Sequence, residues 1–265
     1  MAGVPGPGHV TTPAAALLEQ LPSWATLLRA PNRGPMTLDG TNTWVLRGTG
    51  AEETVIVDPG PDNADHLAIV AEHRPVAGIL LTHAHPDHAE GVASFQAMTG
   101  AELRALADGE QWYAAGVTVT AIVTPGHTAD SVSYLVEASG QRAMLTGDTI
   151  LGRGTTVVAW PDGDLGAYLS SLERLATFDG IPALPGHGPA LADCGVAARY
   201  YLSHRRARLE QVRAVVASGV RTPADVVAAV YADVDRSLWP AAEWSVRAQL
   251  AYLESVDPPP WLEQP

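Results

Sequence analysis

The chain has 265 residues, 46% of them hydrophobic, and a formal net charge of −13. That length and apolar content suffice for one large α/β domain, or one domain with a small appendage. No apolar run approaches the roughly 18 residues that a membrane-spanning helix needs, and the acidic balance announces no broad nucleic-acid-binding surface.

Met1 to Pro13 lacks a basic segment followed by an apolar core, so it does not read as a signal peptide. Residues 1–29 form a Pro- and Ala-rich extension, with a short helix expected around Ala14 to Leu28 and a disordered first dozen. The run from Ala30 through Asn42 to Leu46 is a turn-rich loop entering a strand. Thr54 to Val57 is a second strand, stopped by Asp58-Pro59-Gly60-Pro61. Asp65 to His73 reads as a helix that leaves His66 and His73 at the surface. Gly78 to Leu81 is a buried strand, and Glu90 to Met98 a helix closed by Gly100.

Between these last two elements lies Thr82-His83-Ala84-His85-Pro86-Asp87-His88. In an extended segment His83 and His85 project to one side, and Pro86 turns the chain so that Asp87 and His88 face a second point nearby. Imidazole nitrogens and carboxylate oxygens are donors that Zn²⁺, Mn²⁺ or Fe²⁺ accept. Three later strands end in loops that each carry one more such donor. His127 follows Val117 to Val123, Asp148 follows Ala143 to Leu145, and His187 follows Ile181 to Ala183. Beyond Asp148, Arg153 lies on a stretch expected to rim the cleft, where it could meet an anionic group or stand as a solvated arginine. Asp164 is placed to cap a helix carrying Tyr168 to Leu175.

The single cysteine, Cys194, excludes an internal disulfide and fits a reducing cytosol, so the expected location is cytoplasmic; the side chain itself reads as small and buried. From Val196 the character changes. All 16 basic residues are arginines; residues 1–198 hold 8 against 21 acidic residues, and residues 199–265 hold 8 against 8. Tyr200 to Arg213 continues a long amphipathic helix with Leu202, Leu209, Val212 and Val216 on one face. Its arginine run reads as a solvated face, or as a track for phosphates. Thr222-Pro223-Ala224-Asp225 caps a helix to about Tyr231, Trp239 to Leu253 is a third helix, and Asp257 to Pro260 ends the fold.

The donor set His83, His85, Asp87, His88, His127, Asp148 and His187 resembles the metallo-β-lactamase superfamily, whose pattern is H-x-H-x-D-H followed by His, Asp and His at strand ends. The resemblance implies an α/β fold, the αββα sandwich, with two divalent metal ions. It assigns His83, His85 and His127 to one ion and Asp87, His88 and His187 to the other, with Asp148 bridging. By the same resemblance Asp58 supports the metal loop; turn chemistry is the other reading of that residue. The runs at 30–43 and 147–156 and the helix at 200–211 are similar to the β-lactamase-like-protein-2 group. That group joins the sandwich to a C-terminal winged-helix-like domain, and its animal members are endoribonucleases acting on single-stranded RNA. Three segments are therefore expected: the extension (1–29), the hydrolase domain (30–198) and the winged-helix-like domain (199–265).

Such a centre activates water for hydrolysis, with Asp87 or Asp148 taking the proton. Zinc is the first expectation, with manganese and iron also suited to these donors. A phosphodiesterase acting on single-stranded RNA is the leading reading, with a small thioester, as in a glyoxalase-II-like enzyme, next. A metal-stabilised binding scaffold is the non-catalytic alternative, and β-lactam hydrolysis is the weakest enzyme reading. Candidate substrate contacts are Asn42, Arg153, Tyr168, His204, Arg205 and Arg208. No membrane partner is expected, and a homodimer stays open.

Overall fold

The structure is a computed structural model describing residues 13–256. One sheet contains β1 (Ala25–Arg29), β2 (Asn42–Leu46), β3 (Thr54–Val57) and β4 (Val76–Leu80) in that spatial order. Its first two pairings are antiparallel, and β3 runs parallel to β4. The parallel pair requires a crossover, which α1 (Ala64–Ala71) supplies from its N-cap Asn63. Two further helices follow β4: α2 (Pro86–Ala89) and α3 (Val92–Thr99), the latter ended by Gly100 at φ +73°.

The second sheet holds β5 (Gln111–Ala114), β6 (Val117–Val123), β7 (Val132–Ala138), β8 (Gln141–Gly147) and β9 (Ala183–Pro185), again in sequence order. Only the last pairing is parallel, and its crossover carries α4 (Leu165–Leu175), capped by Asp164 as expected.

Alternation along the strands builds the layers. Trp44, Leu46, Val55, Val57 and Leu80 point between the sheets, where they meet Val117, Val119, Val136 and Leu145. Their neighbours Val45, Ile56 and Ile79 point outward, beneath Leu67, Val70 and Phe95 of α1 and α3. On the far side, Ile122, Met144 and Ala183 of the second sheet are covered by α4 and by α5 (Cys194–Ala217). Strands covered on both faces read as near-continuous apolar runs, which is how β3 and β4 look in the sequence. The α/β sandwich of two sheets flanked by helices is the observed fold.

Helix α5, capped by Asp193, is 24 residues long and runs straight through the expected 198/199 boundary. Against its C-terminal half pack α6 (Pro223–Val230), capped by Thr222, and α7 (Trp239–Val256). Among the described residues no strand follows Pro185, so these three helices have no hairpin beside them.

Two expectations are corrected. Ala14 to Leu28 is not a helix: Trp24 is buried and Ala25–Arg29 adds a strand to β2, with Leu27 opposite Trp44. Pairing to an available sheet edge overrides the local helical preference there. His66 is not a surface residue but 3% exposed, because α1 lays that face on the first sheet, where its Nε2 lies 3.0 Å from Thr43 Oγ1. The disordered first dozen and the Asp257–Pro260 terminator fall outside the described residues.

Candidate metal centre

The centre lies where strands from both sheets end. Asp58, just past β3 at φ +54°, is 1% exposed and organises the loop after the neighbouring β4. It accepts from Thr82 N and Thr82 Oγ1, both at 2.7 Å, and from His88 Nδ1 at 2.9 Å. Asp58 therefore ties down the loop after β4 and orients His88. Fixing Nδ1 as the donor leaves the His88 Nε2 lone pair aimed inward.

Three more histidines are fixed in the same sense. His83 Nδ1 meets Thr82 Oγ1 at 3.1 Å, His127 Nδ1 meets the Val157 carbonyl at 2.7 Å, and His187 Nδ1 meets the Gly40 carbonyl at 3.4 Å. The Nε2 atoms of His83 and His127 crowd one small volume together with His85 Nδ1, which lies 3.0 Å from the first and 3.1 Å from the second. The second group is as tight: His187 Nε2 is 3.3 Å from His88 Nε2 and 3.2 Å from Asp87 Oδ2. Asp148 stands between, with His88 at 3.5 Å from one oxygen and His127 and His187 at 3.7 and 3.3 Å from the other.

These residues fit divalent metal. Ligand atoms about 2.0–2.2 Å from a tetrahedral ion stand roughly 3.3–3.6 Å apart, close to the separations seen. Imidazole nitrogens whose protons are committed elsewhere have nothing to offer each other at that distance except a shared cation. Asp148 Oδ1 is buried with no hydrogen-bond partner, which is costly unless a cation faces it. Three groups of donor atoms each lie within 4.8 Å: His83, His85 and His127; Asp87, His88 and His187; and His83, His88 and Asp148. Gly186 makes the closeness sterically possible, since a Cβ there would collide with Asp148 Oδ1 and His88.

The electrostatics agree. Burial opposes charge on His187, yet Asp148 and Asp87 outweigh it and hold its pKa up to about 10. Burial likewise opposes ionisation of Asp148 and Asp87, but His187 and His88 keep both carboxylates well below their ordinary range. His127 is pushed down, mainly by burial. The two carboxylates hold positive charge on His187 and His88, a charge that a metal ion would take over by displacing those protons.

The expected substrate contacts fare differently. Asn42 is fully buried and donates from its amide to the Pro185 and Gly188 carbonyls, both at 2.9 Å, so it clamps the His187 loop instead of facing solvent. Tyr168 is also fully buried, its hydroxyl donating to the Thr149 carbonyl at 2.7 Å. Arg153 is half-buried and forms a two-pronged pair with Asp39 at 2.5 and 2.8 Å. Arg205 and Arg208 are each 5% exposed, donating to the Thr156 and Val230 carbonyls, so they form neither a solvated face nor a phosphate track. Helices α6 and α7 cover that side of α5, which the sequence of α5 alone does not disclose. Both arginines and the half-buried His204 line a cavity of about 170 Å³ that also touches His127 and Asp148.

One member of the centre escaped the sequence reading. Thr41 is fully buried, donates from Oγ1 to Asp87 Oδ2 at 2.9 Å, and accepts from Asn32 Nδ2 at 2.9 Å.

The Metallo-beta-lactamase superfamily matches residues 36–114 and 107–187, which take in β2 to β9 and all seven metal donors. The chain belongs to the metallo-β-lactamase superfamily. The Beta-lactamase associated winged helix domain matches residues 222–256, so α6 and α7 carry the winged-helix part. Among superfamily relatives, the chain is 32% identical over 248 residues to Lactamase-like protein vrtG of Penicillium aethiopicum, covering 87% of this chain and 78% of that one. It is 32% identical to a Beta-lactamase-like protein 2 homolog of Drosophila melanogaster, covering 84% and 85%. An Atrochrysone carboxyl ACP thioesterase of Aspergillus fumigatus is 32% identical, covering 76% and 71%. In fold, a beta-lactamase domain protein from Burkholderia ambifaria superposes with a TM-score of 0.73 at 24% identity, covering 92% of this chain and 89% of that chain.

Proposed function

We propose that this chain is a dinuclear metal-dependent hydrolase whose substrate is an acyl thioester. The observation that carries the reading is the pair of donor triads about Asp148, opening onto a small cavity whose walls include Met36, Leu38 and Val157. His83, His85 and His127 would hold one ion, Asp87, His88 and His187 the other, and Asp148 would bridge them. Zinc suits these nitrogen and oxygen donors best, and manganese or iron would also be accepted. Two such ions supply a water made acidic near neutrality and an electrophile for the carbonyl oxygen.

The rest falls to the chain's own residues. Asp87 and Asp148 are ionised and lie beside the histidine nitrogens, so either can accept the proton of the attacking water. Thr41 fixes the orientation of Asp87 by its hydrogen bond. Asp58 and Thr82 lock the loop, so these groups need not reorganise during reaction.

The sequence alone ranks single-stranded RNA first, and the structure withdraws the support that the arginine helix lent it. Arg205 and Arg208 cannot follow a phosphate backbone from a buried position, whereas a thioester needs no polyanion track. The likeness to a relative named as a thioesterase points the same way. The RNA reading keeps one argument, the likeness to the Beta-lactamase-like protein 2 homologs, which extends over most of the chain.

Zinc- or manganese-loaded protein should be offered S-lactoylglutathione and short-chain acyl pantetheine thioesters beside a short unstructured RNA, with Asp148→Asn in parallel. Thioester turnover that disappears in the variant is the expected result. RNA cleavage lost in the variant, with thioesters intact, would reverse the order of the two readings.

A further inference from the structure

Helix α5 places Arg205 and Arg208 on the wall of the cavity that His127 and Asp148 also border. A guanidinium keeps its charge, and a buried charge is costly unless an opposite charge answers it. Here nothing does: among the described residues neither arginine takes part in an ion pair. Their partners are uncharged. Arg205 donates to the Thr156 carbonyl and lies over the Tyr168 ring at 5.3 Å. Arg208 donates to the Val230 carbonyl and to Gln211 Oε1 at 3.0 Å, and lies over Tyr231 at 4.3 Å. Carbonyls and ring faces soften two positive charges without cancelling them.

Other observations narrow what is missing. Arg205 Nε and His204 Nδ1 are buried with no hydrogen-bond partner. Asp39 already neutralises Arg153, another arginine at this cavity. Among the described residues Asp148 is the one carboxylate on its wall, and it faces the histidines. The remaining wall is largely apolar, with Met36, Leu38, Val157, Val234 and Leu238 among its members. A volume of about 170 Å³ is of the order that admits one benzene-sized group. That suits a short acyl chain better than a nucleotide.

We propose that the cavity receives the distal carboxylate of a dicarboxylic acyl thioester, bound by Arg205 and Arg208 while the thioester carbonyl lies at the metal centre. The acyl part of this proposal rests on the thioester reading; the oxyanion site does not depend on turnover. In the reaction a carbon–oxygen bond forms to water and the carbon–sulfur bond breaks. The water's proton passes to the departing thiolate by way of an aspartate, and the distal carboxylate is unchanged.

Calorimetric titration of the zinc-loaded full chain tests it, using succinate, glutarate and adipate, each beside its monoamide. The monoamide keeps one carboxylate for the centre and removes the second charge. At least one diacid should bind about tenfold to a hundredfold tighter than its monoamide. That ratio should fall towards one in Arg208→Met and persist in Arg206→Met, since Arg206 is exposed and paired with Glu173. Equal binding of acid and amide, or a ratio indifferent to Arg208→Met, overturns the proposal. Inorganic phosphate is titrated alongside; if it binds through Arg208 more tightly than every diacid, the carboxylate assignment fails and the site belongs to a phosphorylated group. Should Arg208→Met lose its near-ultraviolet dichroism, the wild-type ratio decides alone. A diacid preference without thioester turnover would sink the thioester reading and spare the oxyanion site.

Discussion

The metal centre and the arginine face of α5 are both buried clusters of charged and polar side chains, yet they were built by opposite means. At the centre every polar group has a local reason for its place. Donors sit at strand ends, four of the five imidazoles are steered by a nearby oxygen, and carboxylates balance the histidines. On α5 two positive charges are buried by distant elements, α6, α7 and the loop at 151–158, with no acid supplied. A self-balanced cluster is a device for holding cations. An unbalanced one beside it is a device for receiving an anion.

The largest effect expected is at the centre. Asp148→Asn should lower turnover by orders of magnitude while leaving far-ultraviolet dichroism unchanged; activity near wild type would remove Asp148 from the bridging position. Asp58→Ala should weaken metal affinity by about tenfold to a hundredfold, measured by chelator competition, because His88 and Thr82 lose their shared acceptor. An unchanged affinity would reduce Asp58 to a turn residue.

On α5 the contrast can be tested between neighbours. Arg205→Ala should cost about 2–4 kcal/mol in denaturant unfolding, and Arg206→Ala less than about 0.5 kcal/mol, since Arg206 pairs only with exposed Glu173. Similar costs for the two would mean that the burial of Arg205 is energetically idle. His204 gives a further handle. Burial first, then the charges of Arg205 and Arg208, depress its pKa from 6.5 to about 4. A depressed histidine is neutral in the fold, so its contribution is complete above pH 6.5 and is lost as pH falls towards 4. Wild type should therefore lose on the order of 2–3 kcal/mol more than His204→Gln across that window. Parallel curves would show that protonation is tolerated in the cavity.

The donors of the centre were legible because each follows an apolar strand and the H-x-H-x-D-H spacing is local. Strands β3, β4 and β6 could be read from their apolar runs, and α4 and α6 from the caps Asp164 and Thr222. What stayed hidden depends on partners remote in sequence. The run at Ala25–Arg29 becomes a strand only because β2 offers it an edge. The burial of His66 depends on Thr43, and that of Arg208 on a carbonyl 22 residues away. Thr41 touches Asp87 across 46 residues, a contact that no local pattern encodes.

Helix α5 has a consequence for how the molecule comes apart. Its first turns, with Cys194, Ala197 and Ala198, and its later ones, with Leu209 and Val212, belong to one apolar cluster that reaches from Met144 of the second sheet to Val226 and Val246. A rod embedded at both ends leaves no seam along which a winged-helix part could detach. Thermal unfolding should then show a single calorimetric peak. A chain cut after residue 198 would end inside the rod, lose the later turns' share of that cluster and precipitate, instead of surviving as a smaller hydrolase.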